Sequence, residues 1–487
     1  MSYRAMVALL AAAPAFAQTT AGALASQREA RALVDAALRA HGGDAAIAAA
    51  GPIVVTFSGR RTMVGQSQSP LPPYGTESWP IKTWFDLARN RIVQEQDNHF
   101  PGGYLLRYRF VVTAETAFSL NLNGSFEGAV VDRSPAADLE GTRAWLAREL
   151  PITLLLHARE RAASLRRAGG DVLLAEADGR IVTLRFDPSS RLLVGYETIG
   201  DHGFVGDDHF VVEWSGWKTQ AGLVVPTVFR EVRNGRSSRE GTLAVAFAPP
   251  DEAAFAIPPG FVEAPLDPPP VRPLADGVGL VYLPDSTQVM YVDLGEGILV
   301  IEAPSSSAMS ELAIARIEGA VPGKPIRWVT FTHAHNDHAA GLRPYIARGV
   351  RIVTTEANRG YVEAQAAAPH TLRPDRLSAA PRAPVLAPFE GETALGGGRV
   401  RLYSIGKTAH ALDTLVAYLP AERIVYQGDM LIRPRAGGRV APGGELTRAL
   451  ERLVRDKGLA VDQVVGTHGP PGTMTDVREA IATAPKP

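Results

Sequence analysis

The stretch IRWVTFTHAHNDHAAGLRPY at residues 326–345 constrains this chain most, because it puts His333, His335, Asp337 and His338 within six consecutive positions. Ile326 to Phe331 is β-branched and aromatic, the composition of a buried strand. Ala339 to Arg348 then reads as a helix whose first turn is opened by Asn336 or Asp337 as cap. The polar side chains therefore sit on a strand-to-helix turn. In extended backbone, residues two apart point to one side, so His333 and His335 can converge on one cation while the turn redirects Asp337 and His338 towards a second. A single histidine in such a turn reads as a surface loop. Three histidines and an aspartate directly after a hydrophobic strand read as metal ligands.

Composition narrows the setting. The chain has 487 residues, 46% of them hydrophobic, which leaves room for about two or three domains. Lysine plus arginine (50) nearly equal aspartate plus glutamate (51), so no basic excess exists to neutralise phosphates, and nucleic acid is not an expected partner. There is no cysteine, so disulfides are excluded and a zinc site must be built from His, Asp or Glu. At the N-terminus, Arg4 precedes an apolar run from Ala5 to Ala13, and Ala15-Phe16-Ala17 followed by Gln18 fits an A-x-A cleavage site. Residues 1–17 thus read as a cleavable secretory signal, which predicts a periplasmic or secreted protein. The run is shorter than the ~20 residues that span a bilayer, and no other segment reads as transmembrane.

Residues 18–257 read as an α+β, mostly antiparallel β domain with an N-terminal helix. Residues 26–50 are alanine-rich with helical spacing, interrupted at Gly42-Gly43, and His41 reads as a helix-end residue. About ten short strands follow, separated by turn signals such as Asp178-Gly179 and Asn234-Gly235. A helical interlude covers roughly 137–168 and is broken at Pro151. His99, His157, His202 and His209 have no ligand spacing and read as structural or surface residues. The element order and the phrase RFDPSSRLLVGYE resemble periplasmic lipoprotein-carrier-like domains. That resemblance implies a concave face able to take an acyl chain or an apolar part of a substrate. Residues 258–273 hold seven prolines and read as a stiff linker. From 274 to 487, strands alternate with helices, including a hairpin at Gly295-Glu296-Gly297 and a helix around Ser310–Glu318, as in an α/β domain.

Three further polar side chains follow apolar strands of this second half: His410 after RVRLYSIGKTA, Asp429 after RIVYQG and His468 after QVVGT. Carboxyl ends of strands are where α/β folds build sites. The HxHxDH motif followed by His, Asp and His in this order resembles the metallo-β-lactamase superfamily, over about residues 275–480. The resemblance implies an αβ/βα four-layer sandwich with two zinc ions per chain. His333, His335 and His410 would hold one ion, Asp337, His338 and His468 the other, and Asp429 would bridge them. Imidazole and carboxylate donors suit zinc, although ligand type alone separates zinc poorly from manganese or iron. Flavodiiron members of the superfamily carry glutamate where His335 stands. Lactam-hydrolysing members tend to have cysteine or serine where Asp429 stands, so this aspartate looks more like the thioesterase, lactonase and phosphodiesterase branches.

The expected function is a zinc hydrolase that uses a metal-bridging hydroxide to cleave an ester, lactone, thioester or amide bond of a small molecule, β-lactams included. Asp337 would be catalytic, orienting the hydroxide and passing on its proton. Two other readings remain open at this stage: a mononuclear iron enzyme like the persulfide dioxygenases, and a non-catalytic lipid-binding carrier. Thr408 and Asp413, near His410, are expected to fix imidazole tautomers. His370, in the irregular stretch AAAPHTLRPDRL, is expected at the pocket. All seven candidate ligands follow residue 274, so a fragment starting near Pro273 is expected to bind metal unaided.

Overall fold

The computed structural model describes residues 3–123, 129–263, 270–434 and 440–484, without the side chains of residues 3–19 and Ala137. The signal expected at residues 1–17 therefore lies outside the described side chains. Among the described residues no helix is long and apolar enough to cross a membrane.

The first half is one fifteen-stranded sheet that backs onto helices. Its middle strand, Ile53–Thr62, pairs antiparallel with Arg236–Phe247 and with Ile81–Asp86. Val55, Phe57, Ile81, Phe85 and Phe229 share a core with Leu33, Val34, Ala37 and Leu38 of the helix Tyr3–Ala40. Leu154 and Leu155 of the helix Pro151–Glu160 fill the same core. The helical interlude breaks where expected: the helix Leu139–Ala147 ends before Pro151, which starts the next helix at the position where a missing N–H costs nothing. His41 does end a helix, yet it is also fully buried. Its Nδ1–H donates to the Val224 carbonyl at 2.7 Å and its Nε2 accepts from the Leu193 amide at 3.2 Å. Burial pushes its pKa down to about 4.

The second half has four layers. Strand Gln288–Asp293 shows why: its side chains alternate between two apolar environments. Val289 and Tyr291 join Ile314, Tyr345 and Tyr361 of the outer helices, whereas Met290 and Val292 meet Leu402, Ala417 and Tyr426 of a second sheet. Seven strands make up the first sheet and five the second. The helices Glu445–Asp456 and Met474–Thr483 cover the far face of the second sheet through Leu450, Val477 and Ala480. This is the helix-sheet-sheet-helix order expected for the C-terminal part.

The proline-rich stretch is structured at both ends. Val262–Glu263 pairs with the first-half strand Val130–Arg133, and Val271–Ala275 is already an edge strand of the second half, a position that tolerates Pro273. The halves also touch directly. Phe204 stacks on Tyr361 with ring centroids 4.8 Å apart, and the Asp207 amide donates to the Pro369 carbonyl at 2.6 Å.

Candidate metal centre

The strand Ile326–Thr330 runs into the buried Phe331 and a bend that carries His333 and His335, the latter in extended backbone. The single helix expected from Ala339 to Arg348 is two short ones, Asn336–Ala339 and Arg343–Ala347, and the first has no side-chain cap. The break has a local cause, since Pro344 takes the first turn of the second helix and cannot continue the first. Asn336 does not cap; its side chain turns to His202 at 3.4 Å. Three other strand ends deliver the remaining groups. The loop between Val400–Gly406 and Thr414–Leu419 carries His410, Ile424–Tyr426 leads to Asp429, and Gln463–Val465 leads to His468. Gly428 must be glycine, for it has φ +66° and a Cβ there would lie 2.5 Å from Thr332 Oγ1.

The structure brings all seven side chains together in two groups, His333/His335/His410 and Asp337/His338/Asp429/His468, the candidate donor atoms of each lying within 4.8 Å of one another. His333 Nε2 and His410 Nε2 face each other at 3.1 Å. His338 Nε2 lies 3.2 Å from Asp429 Oδ1, and His468 Nε2 lies 3.1 Å from Asp337 Oδ2. Asp429 spans the groups, with Oδ2 at 3.4 Å from His410 Nε2 and Oδ1 at 3.5 Å from His468 Nε2.

Hydrogen bonds at the far ring nitrogens make this a set of lone pairs pointing inward. His410 Nδ1–H donates to the Pro101 carbonyl at 3.0 Å, and His333 Nδ1 lies 3.2 Å from Thr332 Oγ1. His335 Nε2–H donates to the Ser67 carbonyl at 3.2 Å, which leaves Nδ1 as its donor atom. His338 Nδ1–H donates to Glu302 Oε1 at 3.0 Å. Unpaired nitrogens of His333 and His410 that face one another repel unless a cation sits between them. Zn–N bonds of about 2.0–2.1 Å at tetrahedral angles put two nitrogens roughly 3.3 Å apart, which the observed spacing fits. His338 Nε2 and Asp429 Oδ1 are buried without a hydrogen bond. These residues fit a pair of divalent ions.

Charge follows the same division. Burial, then the neighbouring imidazoles, hold His333 well below its usual pKa, and burial takes His335 down to about 3. Both are neutral donors. Burial works against the charge on His338 but is outweighed by Asp429, Asp337 and Glu302, so this imidazole is raised well above its ordinary value. His468 is raised too, burial being outweighed by Asp337 and Asp429. Burial opposes ionisation of Asp337 and Asp429 as well, yet His338 holds both well below the usual carboxylate range. Without an ion the second group therefore pairs two protonated imidazoles with two carboxylates, and an arriving cation displaces the protons.

The first half of the chain walls the site. Gln66 Nε2 donates to Asp337 Oδ1 at 2.8 Å, and the Asn336 amide donates to the Gly65 carbonyl at 2.8 Å. Gly65, at φ +72°, is held so close that a Cβ would come within 2.0 Å of Asn336 Oδ1. Tyr104 packs edge-on to His410 with ring centroids 5.2 Å apart. A cavity of about 400 Å³ opens over Asp337, His410, Asp429 and His468, and Phe100, Tyr104 and Tyr108 form its aromatic wall. The fragment from Pro273 would keep seven side chains and lose the Ser67 and Pro101 carbonyls.

Three expected residues stand elsewhere. Asp413 accepts from Thr355 Oγ1 and, at 2.7 Å, from Ser404 Oγ, so it ties neighbouring strands together and touches no imidazole. Thr408 Oγ1 accepts from the backbone amides of His410 (3.2 Å) and Ala411 (3.0 Å), which shapes the loop without touching the ring. His370 is buried at the junction of the two halves, 3.1 Å from Asp201, and is not among the residues lining the cavity. Glu302 was not expected. Fully buried, it accepts from Thr332 Oγ1 at 2.6 Å and Thr467 Oγ1 at 3.0 Å besides His338. Its signal in the sequence is an acid at the end of the apolar run ILVI.

Residues 282–468 match the sequence model of the Metallo-beta-lactamase superfamily. No curated protein matches the chain. Among solved structures, DIM-1 metallo-β-lactamase is 16% identical over 44% of this chain and 94% of its own, with a TM-score of 0.34. A metallo-β-lactamase from Hirschia baltica is 19% identical over 45% of this chain and 98% of its own, with a TM-score of 0.32. FIM-1 from Pseudomonas aeruginosa is 20% identical over 43% and 93%, with a TM-score of 0.32.

Proposed function

Residues 282–468 form a metallo-β-lactamase superfamily domain, and on that premise we propose that the chain is a dinuclear zinc hydrolase of small-molecule esters, lactones, thioesters or amides. The observation that carries this reading is the double donor set joined by Asp429, with His338 Nε2 and Asp429 Oδ1 buried inside it without a hydrogen bond. His333, His335 and His410 would hold one ion, and Asp337, His338 and His468 the other, with Asp429 on both. Ions there supply Lewis-acid polarisation of a carbonyl and a water acidic enough to ionise near neutral pH.

The chain's own residues supply the rest. Asp337 keeps Oδ2 towards His468 and turns Oδ1 to Gln66, which fixes the carboxylate plane. Ionised and held so, it orients the attacking water and takes up its proton at Oδ1 once Gln66 yields. The rings of Phe100, Tyr104 and Tyr108 exclude bulk water from the reacting bond. We further propose a periplasmic or secreted location, supported by Arg4, the apolar run Ala5 to Ala13 and the A-x-A pattern Ala15-Phe16-Ala17.

Elemental analysis of the purified chain should find about two zinc per molecule, with turnover of at least one ester, lactone, thioester or amide. Asp337→Asn should keep the fold and lower turnover by about 10²-fold or more. One iron with no zinc, or no turnover of any panel member by the zinc-loaded protein, overturns the proposal.

A further inference from the structure

A second cavity, of about 340 Å³, opens on the first-half sheet beside the metal cavity, and Gln66 and Phe100 line both. Its walls combine apolar and aromatic side chains with cations. Arg61, Arg148 and Arg239 line it, together with Trp79 and Phe100. Arg61 and Arg239 are directly opposite each other on paired strands, where like charges repel. Buried N–H groups without an acceptor occur on all three: Nε and Nη2 of Arg61, Nε of Arg148 and Nε of Arg239.

The carboxylates nearby are committed. Glu149 pairs with Arg239 at 3.3 Å, Glu176 with Arg148 at 2.9 Å, and Glu231 accepts from Ser238 Oγ at 2.9 Å. Among the described residues Arg61 has no carboxylate within ion-pair distance. It is instead clamped between aromatic rings, its Cζ 4.5 Å from the Trp79 centroid and 5.2 Å from that of Phe100. Desolvation lowers its pKa to about 10. The two free donors of Arg61, Nε and Nη2, form one edge of the guanidinium, the edge that a carboxylate meets with two parallel hydrogen bonds. Glu77, opposite Arg61 on the paired strand Thr76–Ser78, offsets its charge only through space; buried N–H groups without an acceptor are costly, and a ligand carboxylate that meets them lowers that cost.

We infer that Arg61 is a specificity residue that binds a carboxylate on the substrate, so that the enzyme prefers substrates carrying an anionic group on the acyl side of the bond to be cleaved. The inference rests on the hydrolase reading for where that bond lies. Substrate would run from the metal cavity past Gln66 and Phe100 to the guanidinium edge. Arg148 and Arg239 add positive potential, while Arg61 alone offers a free fork.

The test compares full-length, zinc-loaded protein with its Arg61→Gln variant on two esters of equal length, the p-nitrophenyl monoester of glutaric acid and p-nitrophenyl pentanoate. Wild type should prefer the anionic ester by about tenfold or more in kcat/KM, mainly through KM, and Arg61→Gln should erase that preference by lowering kcat/KM for the anionic ester far more than for the neutral one. Arg61→Lys keeps the charge without the fork and should recover part of the preference. Arg60→Gln removes the exposed guanidinium on the other face of the strand, which bonds Thr76, and should change neither ester. Equal losses on both esters, or none, overturn the subsite. Calorimetric titration with glutarate separates the two readings: if wild type cleaves neither ester, Arg61-dependent glutarate binding still upholds the subsite and Arg61-independent binding overturns it, while the hydrolase proposal is decided by turnover across esters, lactones, thioesters and amides.

Discussion

The two halves of the metal centre are held by different means. Around His338, orientation comes from side chains inside one domain: Glu302 fixes Nδ1, and Thr332 and Thr467 fix Glu302. Around His335 and His410, it comes from backbone carbonyls of the other half of the chain, Ser67 and Pro101. The hold on His338 lies wholly within the four-layer domain, and in its ion site Asp337 reaches the other half, through Gln66. The second arrangement exists only where the large sheet is docked against that domain. Metal-ligand imidazoles depend on the group that holds their other nitrogen, so one ion site should be sensitive to point mutation of a buried acid and the other to anything that shifts the docked loops.

The largest effect expected from this contrast is at Glu302. Glu302→Gln keeps the shape and removes the charge that holds His338, and should weaken the second ion by about 10–100-fold while the first is retained. Competition with a chelator, read as two separate affinities, checks it. An equal loss at both sites would mean that the halves are not independent.

A smaller and opposite effect is expected at Gly65. Its positive φ and close approach to Asn336 leave no space for a side chain, so Gly65→Val should push the loop bearing Ser67 away from His335. The first ion should weaken by about tenfold or less, since one hydrogen bond is lengthened and no ligand is removed. The same chelator assay decides, and loss of the second ion first would reverse the contrast.

A separate effect, on stability and not on metal affinity, concerns the sheet alone. His41 is depressed to about 4 in the fold, against an ordinary 6.5. The unfolded chain therefore binds more protons between these values, and stability falls as pH drops from 6.5 towards 4, the full contribution being lost below that window. The shift is worth about 3 kcal/mol at most. Denaturant unfolding of metal-free protein across this range should show the slope, and His41→Gln should make it shallower, His202, also lowered to about 4 by burial, keeping its own share.

What the sequence revealed follows the same line. Side chains that declare their chemistry by residue type and by position at strand ends were legible: His333, His335, Asp337, His338, His410, Asp429 and His468 all meet. Backbone carbonyls carry no such signal, so Ser67 and Pro101 could not be read. Thr408 and Asp413 were chosen for nearness to His410 along the chain, but in a loop nearness does not fix where a side chain points. Helical spacing from Ala339 to Arg348 gave one helix where Pro344 requires a second start. The many strands of the first half were legible from their alternation, and their closure over the metal site was not, because that depends on contacts far apart in sequence.

Anomalous diffraction at the zinc edge from crystals of the full-length protein tests the central claim most directly. Two peaks are predicted, one among His333, His335 and His410 and one among Asp337, His338 and His468, with Asp429 between them. A single peak, or a second peak away from His338 and His468, would contradict a dinuclear centre.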